Sequence, residues 1–224
     1  MIEPKELLRA SVWARELDAT TLRHVADDIE VKPVPAGEAF IQRGDTLPFW
    51  HGVVEGVAKV STLSPEGKPV TFTGVPVGGW FGEGSVLKRE ARQYDAVALR
   101  ASRIALMPEA TFDWLVETSL AFNRALIRQL NERLGVFIAT VEYERLLTPE
   151  SRVARALAGM FNAVLYPDSG PVVQLSQEEI GYLVGVSRQR VNQALQVLEA
   201  EGLLGTDYGG ITVRDLDRLR TRAP

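Results

Sequence analysis

Residues 176–195 have the sequence SQEEIGYLVGVSRQRVNQAL, and this stretch decides how the C-terminal part of the chain folds. Ser176 is a favourable helix N-cap, and Glu179, three residues later, completes a capping box. Gly185 suits a tight turn because glycine adopts a positive φ without a Cβ clash. Ser187 can cap a second helix. The stretch therefore predicts two short helices joined by a turn, which is a helix-turn-helix.

Each of the two predicted helices has a buried face and an exposed face. Apolar side chains recur at helical spacing, at Ile180, Leu183, Val184, Val191, Ala194, Leu195 and Leu198. The outward side of the second helix carries long donors and acceptors suited to base edges and phosphates. With the two capping serines included, the candidate DNA-binding residues are Ser176, Ser187, Arg188, Gln189, Arg190, Asn192 and Gln193.

A hairpin is predicted directly after the second helix. The apolar segments 203–205 and 211–213 flank the turn residues Tyr208, Gly209 and Gly210. Paired helices also occur as plain packing motifs, so the hairpin helps to decide between the two interpretations. Together with the polar helix tip, it predicts a winged helix that binds double-stranded DNA.

The overall negative charge of the chain disfavours a nucleic-acid partner. The formal net charge is −4, so strong nonspecific DNA binding is not expected. Arg188 and Arg190, however, lie at one tip of the second helix, and the acids Glu199 and Glu201 lie at its far end. A small basic contact surface is therefore compatible with a slightly acidic chain.

The N-terminal half predicts a helix followed by a β structure. Leucine and valine spacing predicts a helix over residues 4–29. From Val31 to about Leu106, short valine-rich segments alternate with turn residues, a pattern typical of an antiparallel sandwich or barrel. Trp50 and Trp80 flank these segments, and we expect both to pack in a core or an interface.

A long helix is predicted over roughly residues 119–145. Its apolar stripe steps by three or four residues and consists of Phe122, Leu126, Leu130, Leu134, Phe137 and Val141. The stripe is compatible with a core-packing helix or with a dimer interface that resembles a coiled coil. Thr148, Pro149 and Glu150 then provide a cap, a first-turn proline and a first-turn acid for a new helix.

These patterns predict an α+β protein with three units. We expect residues 1–118 to form a β domain of the sandwich or jelly-roll type, and residues 119–147 to form the long helix and a hinge. Residues 148–224 form the winged helix-turn-helix.

Composition excludes several classes of protein. The chain has no cysteine, which excludes disulfides, thiol nucleophiles and cysteine-ligated iron–sulfur clusters. The first residues lack the apolar core of a signal peptide, and no apolar run approaches the roughly 20 residues of a membrane span, so we expect a cytoplasmic protein without a membrane partner. Two histidines do not supply the metal cluster of a cupin-like enzyme, and no nucleophile–base pair stands out. We therefore expect no metal site and no enzymatic activity.

The chain resembles the Crp/Fnr superfamily of bacterial transcription regulators over nearly its whole length. The resemblance rests on PAGEAFIQRGD (35–45), VVEGVAKV (53–60), WFGEGSVL (80–87) and LSQEEIGYLVGVSRQRVNQALQVLEAEGLL (175–204). It implies a homodimer paired through the long helix, a sensory β-roll, DNA recognition by two symmetry-related helices, and RNA polymerase as a partner.

The resemblance also suggests how bases are contacted. Arg188 can donate to the O6 and N7 acceptors of guanine. Where the family often has glutamate, this chain has Gln189, which favours adenine, and the position of the family's second arginine is Gln193. Arg190 and Ser176 are then expected to contact phosphates.

In this family the β-roll often binds cyclic AMP through a Gly-Glu pair and an arginine followed by serine or threonine. Gly82 and Glu83 match the first part, and the backbone amides of Gly84 and Ser85 are candidate anion contacts. The arginine position falls on Gln93 in an ungapped count, or on Arg92 when the following strand is aligned.

The chain thus departs from the family pattern at the phosphate contact. Beyond Arg92 and Gln93, Tyr94 replaces a small residue and Asp95 adds a negative charge. We therefore expect weak cyclic-nucleotide binding or none, and the effector is unknown. A haem would depend on His24 and His51, each expected to be a surface or half-buried residue. The alternative function is a cyclic-nucleotide-binding regulatory module that does not act on DNA.

Overall fold

The structure is a computed structural model, and it describes residue 8 and residues 11–67, 69–167, 169–207 and 210–222. In this part of the chain there are eight α-helices and eleven strands, in an N-terminal β-roll, a long helix and a C-terminal winged helix. The predicted α+β architecture is confirmed.

The single predicted helix over residues 4–29 is interrupted, and only its second part is an α-helix in the described residues 11–29. A short 3-10 helix at Val12–Ala14 is followed by a turn, and helix α1 begins at Ala19 and ends at Asp28. Asp18 causes the break because its carboxylate accepts hydrogen bonds from the amides of Thr20 and Thr21, at 2.9 and 3.0 Å. Residues 4–7, 9 and 10 of the predicted helix lie outside the described residues.

The β-roll consists of two four-stranded antiparallel sheets. Its strands are β1 (Glu30–Val34), β2 (Ala39–Ile41), β3 (Phe49–Glu55), β4 (Ala58–Leu63), β5 (Pro69–Val75), β6 (Trp80–Phe81), β7 (Asp95–Ala98) and β8 (Ser102–Pro108). One sheet has the order β1-β8-β3-β6 and the other the order β2-β7-β4-β5. The short helix α2 (Glu83–Lys88) lies between β6 and β7.

An aromatic cluster fills the core where the roll meets the helices. The ring centroids of Trp50 and Trp80 are 4.6 Å apart, and that of Trp13 is 5.3 Å from each of them. Phe122 adds an edge-on contact with Trp50 at 5.9 Å. The predicted core packing of Trp50 and Trp80 is confirmed, and Trp80 donates its indole N–H to the Ser11 hydroxyl at 2.7 Å.

Two helices follow the roll. Helix α3 spans Glu109–Thr118, and the long helix α4 spans Leu120–Leu146, close to the predicted range. Ser119 caps α4 by accepting from the Phe122 amide at 3.2 Å. The first half of α4 packs against the roll, and its second half extends away from that core.

The winged helix follows after Leu147. It contains α5 (Pro149–Gly159), β9 (Val172–Val173), α6 (Gln177–Val184), α7 (Arg188–Ala200), β10 (Leu204–Asp207), β11 (Gly210–Val213) and α8 (Leu216–Thr221). Thr148 caps α5 by accepting from the Ser151 amide at 3.4 Å, and Pro149 is its first residue, as predicted.

Polar contacts connect the winged helix to the rest of the molecule. The Tyr166 hydroxyl lies 3.1 Å from the Thr73 hydroxyl on β5. Asn162 donates to Glu132 on α4 at 2.7 Å. The Arg100 guanidinium donates to the Gln174 side chain at 2.7 Å. The winged helix therefore contacts both the roll and the long helix.

Candidate nucleic-acid interface and effector-type site

The capping box at the start of α6 is confirmed. The Ser176 hydroxyl accepts from the Glu179 amide at 3.2 Å, and the Glu179 carboxylate accepts from the Ser176 amide at 2.6 Å. These reciprocal bonds satisfy backbone donors that an isolated helix end leaves without partners. Ser176 is therefore fixed next to the helix-turn-helix by its own hydrogen bonds.

The turn between α6 and α7 depends on two glycines. Gly185 ends α6 with φ of +67°, which is the left-handed region. At Gly181 a Cβ would lie 2.7 Å from the Val186 carbonyl oxygen, so any larger residue would push the two helices apart. The turn therefore fixes the position of α7 on α6.

Helix α7 presents the predicted polar residues to solvent. Its buried side consists of Val191, Ala194, Leu195 and Leu198, as predicted. The candidate DNA-binding side chains are all exposed, at Ser187, Arg188, Gln189, Arg190, Asn192 and Gln193. Ser187 accepts from the Arg190 amide at 3.3 Å and so caps the helix.

The two arginines at this tip are free of partners among the residues that the structure describes. Within the described residues, the guanidinium groups of Arg188 and Arg190 make no ion pair or hydrogen bond. Asn192 differs, because its side-chain oxygen accepts from Gln177 at 3.3 Å. Arg188 and Arg190 can therefore bind a ligand without breaking a contact.

The acids at the far end of α7 are engaged elsewhere. Glu199 accepts from the amide and hydroxyl of Thr206, at 3.0 and 2.9 Å, and these bonds lower its pKa. Glu201 pairs with Arg222 at 2.8 Å, and that hydrogen bond lowers its pKa too. Both carboxylates remain charged and are held away from the basic tip.

The predicted hairpin is confirmed. Strands β10 and β11 pair antiparallel from Leu204 opposite Val213 to Asp207 opposite Gly210. Strand β9 adds a third strand to β11, with Val173 opposite Ile211. The predicted turn residues Tyr208 and Gly209 lie outside the described residues.

The candidate effector arginine is part of the interior of the roll. Arg92 is 1% exposed, and its guanidinium donates to the carbonyl oxygen of Gly82 at 2.7 Å and to that of Leu47 at 3.3 Å. A third bond joins Arg92 to the Phe49 carbonyl oxygen. Arg92 therefore links residues 47–49 to Gly82, and in this structure its guanidinium is directed at backbone oxygens of the roll.

The candidate effector carboxylate also has an internal partner. Glu83 is 3% exposed, and its Oε1 accepts from Arg133 Nε at 3.0 Å. Arg133 comes from α4, and its Nη2 also donates to the Trp80 carbonyl oxygen at 2.9 Å. Burial by itself lowers the pKa of Arg133, but the interactions with Glu83, Tyr166 and Tyr94 together raise this pKa above the ordinary value.

The other candidate effector residues do not complete a phosphate site. Gly82 is buried with φ of +90°, and Gly84 and Ser85 are half-buried within the six-residue helix α2. Gln93 is exposed and donates to the Ala91 carbonyl oxygen at 3.1 Å. Burial raises the pKa of Tyr94, which keeps this phenol protonated. The residues present therefore do not fit a cyclic nucleotide.

The expectation for the two histidines is correct for His24 and wrong for His51. His24 is exposed, and its ring lies edge-on to Trp114. His51 on β3 is buried, and burial together with the Arg92 charge lowers its pKa from 6.5 to about 3. Its ring lies 5.8 Å from that of Phe81 and 6.2 Å from that of Phe40, so this residue lies inside the roll and not at its surface.

The predicted stripe on α4 divides into a buried part and an exposed part. Phe122 and Leu126 belong to the core of the roll, so their assignment to a dimer interface is wrong. They lie where α4 still contacts the roll. The later stripe residues are 36–57% exposed, at Leu130, Leu134, Phe137 and Val141. Ile127 and Ile138 are exposed beside them.

Sequence reasoning missed Arg133 because a single arginine in a long helix is ordinarily a solvated residue. The spacing could have indicated it. Leu126, Gln129 and Arg133 are three and four residues apart, so the two polar side chains lie on the same helix face as the buried Leu126. Gln129 is also buried, and it donates to the Trp80 carbonyl oxygen at 3.5 Å.

Two family models match the chain. The cyclic nucleotide-binding domain model matches residues 31–119, and the Crp-like helix-turn-helix domain model matches residues 151–222. A winged helix-turn-helix that follows such a roll defines a DNA-binding regulator.

Known proteins share this architecture. The CRP-like cAMP-activated global transcriptional regulator of Mycobacterium tuberculosis is 25% identical over 227 residues, which covers 97% of this chain and 98% of that protein. The cAMP-activated global transcriptional regulator CRP of Pasteurella multocida is 26% identical over 197 residues, which covers 86% and 94%. FixK2 of Bradyrhizobium japonicum shares the fold with a TM-score of 0.73 at 18% identity, over 88% of this chain and 98% of that one.

The chain belongs to the Crp/Fnr family and is a DNA-binding transcription regulator. The curated relatives named above are transcriptional regulators. Among the described residues, no helix is both long and apolar enough to cross a membrane.

Proposed function

We propose that the protein is a homodimer that binds one specific inverted-repeat operator and acts there on transcription. The observation that carries the proposal is the tip of α7, where Arg188 and Arg190 are exposed and have no internal partner among the described residues. An arginine that is not engaged elsewhere gives up only water when it binds a base or a phosphate.

The residues on α7 have different proposed roles. Arg188 follows the cap directly, so it enters the major groove first and donates to guanine O6 and N7. Gln189 offers a donor and an acceptor, which favours adenine. Arg190 and the Ser176 region contact phosphates and position the helix. Asn192 and Gln193 lie one turn further along, where Asn192 first has to exchange its bond with Gln177.

The dimer is proposed to form through the exposed face of α4. Ile127, Leu134 and Val141 repeat every seven residues, and Leu130 and Phe137 each follow three residues after one of them. This is the a/d spacing of a two-stranded coiled coil, and these side chains are exposed. We call this set the seam. A second copy of α4 is the occupant because a two-fold axis brings identical faces together.

Three further points belong to the proposal. The chain is divided into the roll at 1–118, the dimer helix and hinge at 119–147, and the winged helix at 148–224. The protein acts in the cytoplasm, where its operator is. RNA polymerase is a partner once the dimer is on DNA, as expected for a regulator of this family.

In vitro selection from random duplex DNA with the purified full-length protein tests the proposal. Selection is run without nucleotide and, in parallel, with millimolar cyclic AMP. We expect an inverted repeat with half-site centres about 10 base pairs apart and a guanine in each half-site. Recovery of unrelated sequences in both arms would contradict the proposal and favour a module that does not act on DNA.

A further inference from the structure

Helix α4 carries two adjacent faces with different surroundings. The roll-facing side consists of Phe122, Leu126, Gln129, Arg133 and Val136, which contact the roll or its neighbouring core. The seam follows immediately beside it, and Leu134 is the residue after Arg133. Any contact that fixes Arg133 therefore also fixes the direction in which the seam points.

The contacts of Arg133 are made with the part of the roll where the family pattern places an effector. Its guanidinium bridges the Glu83 carboxylate at 3.0 Å and the Trp80 carbonyl oxygen at 2.9 Å. The second Glu83 oxygen, Oε2, is buried, so a ligand hydroxyl cannot reach it unless the surrounding side chains move. Arg92 is likewise occupied by backbone oxygens.

From this geometry we infer that Arg133 takes the place of an effector, so that its ion pair with Glu83 holds α4 on the roll and DNA binding needs no cyclic nucleotide. The inference rests on the proposed function and specifies how that function is regulated. The Glu83–Arg133 contact supplies from within the chain a roll-to-helix connection that a bound ligand would otherwise supply.

The energetics favour a persistent contact. The Arg133 side chain is 17% exposed and that of Glu83 is 3% exposed, so little water screens the pair. Losing one partner leaves the other charge buried without compensation, which is costly. A nucleotide that claimed Glu83 would have to displace Arg133 and leave its guanidinium in the same buried place.

The test compares operator binding by nucleotide-free full-length protein and its variants. Arg133→Gln removes the charge that pairs with Glu83. Arg128→Gln is the matched control because Arg128 lies on the same helix and makes an exposed pair with Glu16 at 3.3 Å. Arg133→Lys keeps the charge, but its single ammonium nitrogen cannot reproduce the planar guanidinium that donates to both Glu83 and Trp80. Thermal unfolding and sedimentation are measured in parallel for every variant.

We expect wild type to bind the selected operator without nucleotide and to change less than about twofold with millimolar cyclic AMP or cyclic GMP. Arg133→Gln should weaken operator binding by about 5- to 150-fold, the usual range of coupling between sites. Arg133→Lys should recover part of the loss, and Arg128→Gln should match wild type.

The wild-type protein alone can overturn the inference, even if Arg133→Gln does not fold. If selection yields an operator only with cyclic AMP, or if cyclic AMP tightens wild-type binding tenfold or more, the inference is wrong and the proposed function stands. If neither arm of the selection yields an operator, the proposed function fails and this inference fails with it. Equal operator affinity for folded Arg133→Gln and wild type would also overturn it.

Discussion

The two places where the sequence predicts arginines in contact with a ligand differ in one physical respect. On α7, Arg188 and Arg190 are exposed and have no partner among the described residues. In the roll, the predicted Arg92 is buried and donates to backbone oxygens, and so does Arg133, which the sequence did not indicate and which also pairs with Glu83. The comparison shows that a motif specifies the type of side chain, whereas its surroundings decide whether that side chain is available.

The difference has an energetic basis. An exposed guanidinium exchanges water for phosphate or base oxygens and releases counterions from the DNA. A buried guanidinium has already lost its water, and a new ligand must replace each bond that it breaks. The same residue type therefore favours binding on α7 and internal stabilisation in the roll.

The largest expected effect concerns the exposed seam on α4. Replacing Leu130 and Leu134 together with glutamate puts like charges against each other across the proposed two-fold axis, so we expect monomers in sedimentation. Operator affinity should fall by at least about a thousandfold, because a monomer contacts only one half-site. Leu63→Glu is the control, since Leu63 is an equally exposed apolar residue on β4. A double variant that still sediments as a dimer would place the interface elsewhere.

The filled interior of the roll predicts the next effect. Gly82 has φ of +90°, and a Cβ there would lie 2.3 Å from Arg92 Nη1. Gly82→Ala should lower the free energy of unfolding by about 2–3 kcal/mol. Alanine is strained in the left-handed backbone conformation, and its Cβ would displace the Arg92 guanidinium from its hydrogen bond. Gly84→Ala is the neighbouring control, because nothing lies within 4 Å of its Cβ. We expect Gly84→Ala to change stability by no more than about 1 kcal/mol. Equal urea denaturation curves for the two variants would show that Arg92 is not fixed at Gly82.

The buried histidine predicts a smaller, pH-dependent effect. The pKa of His51 is lowered to about 3, so between that value and its ordinary pKa of 6.5 the unfolded chain binds more protons than the folded one. The contribution of His51 to the free energy of unfolding is fully present above its ordinary pKa. Well inside this window, that contribution falls by about 1.4 kcal/mol for each pH unit by which the pH is lowered.

Urea unfolding at two pH values inside that window measures this dependence. His51→Gln should lose this part of the pH dependence, whereas His24→Gln, at an exposed histidine, should keep it. Parallel slopes for wild type and His51→Gln would mean that His51 titrates normally in the folded protein.

Local features were the part of the fold that the sequence predicted well. The caps at Ser176 and Thr148, the turn at Gly185 and the buried face of α7 follow from chemistry within a few residues, and the structure confirms them. The break at Asp18 is equally local, but regular leucine spacing across it concealed the cap.

The errors concern contacts between residues distant in sequence. Arg92 bonds to Phe49, and Arg133 to Glu83, across gaps of 43 and 50 positions. A stripe on α4 shows which side chains are apolar, but not where the helix leaves the roll. That is why Phe122 and Leu126 were assigned to the wrong surface.

Base contact by Arg188 on α7 can be measured in a binding titration with matched operators. Wild type, Arg188→Ala and Arg190→Ala are titrated against the selected operator and against the same operator with the guanine of each half-site replaced.

For wild type, we expect replacement of the guanine to weaken the free energy of operator binding by about 1–3 kcal/mol per half-site. For Arg188→Ala, the same replacement should leave the binding free energy almost unchanged. Arg190→Ala should weaken binding to both operators equally and reduce the salt slope by about 1 per half-site. If Arg188→Ala discriminates between the two operators as strongly as wild type does, Arg188 does not contact that guanine and the account of the interface is wrong.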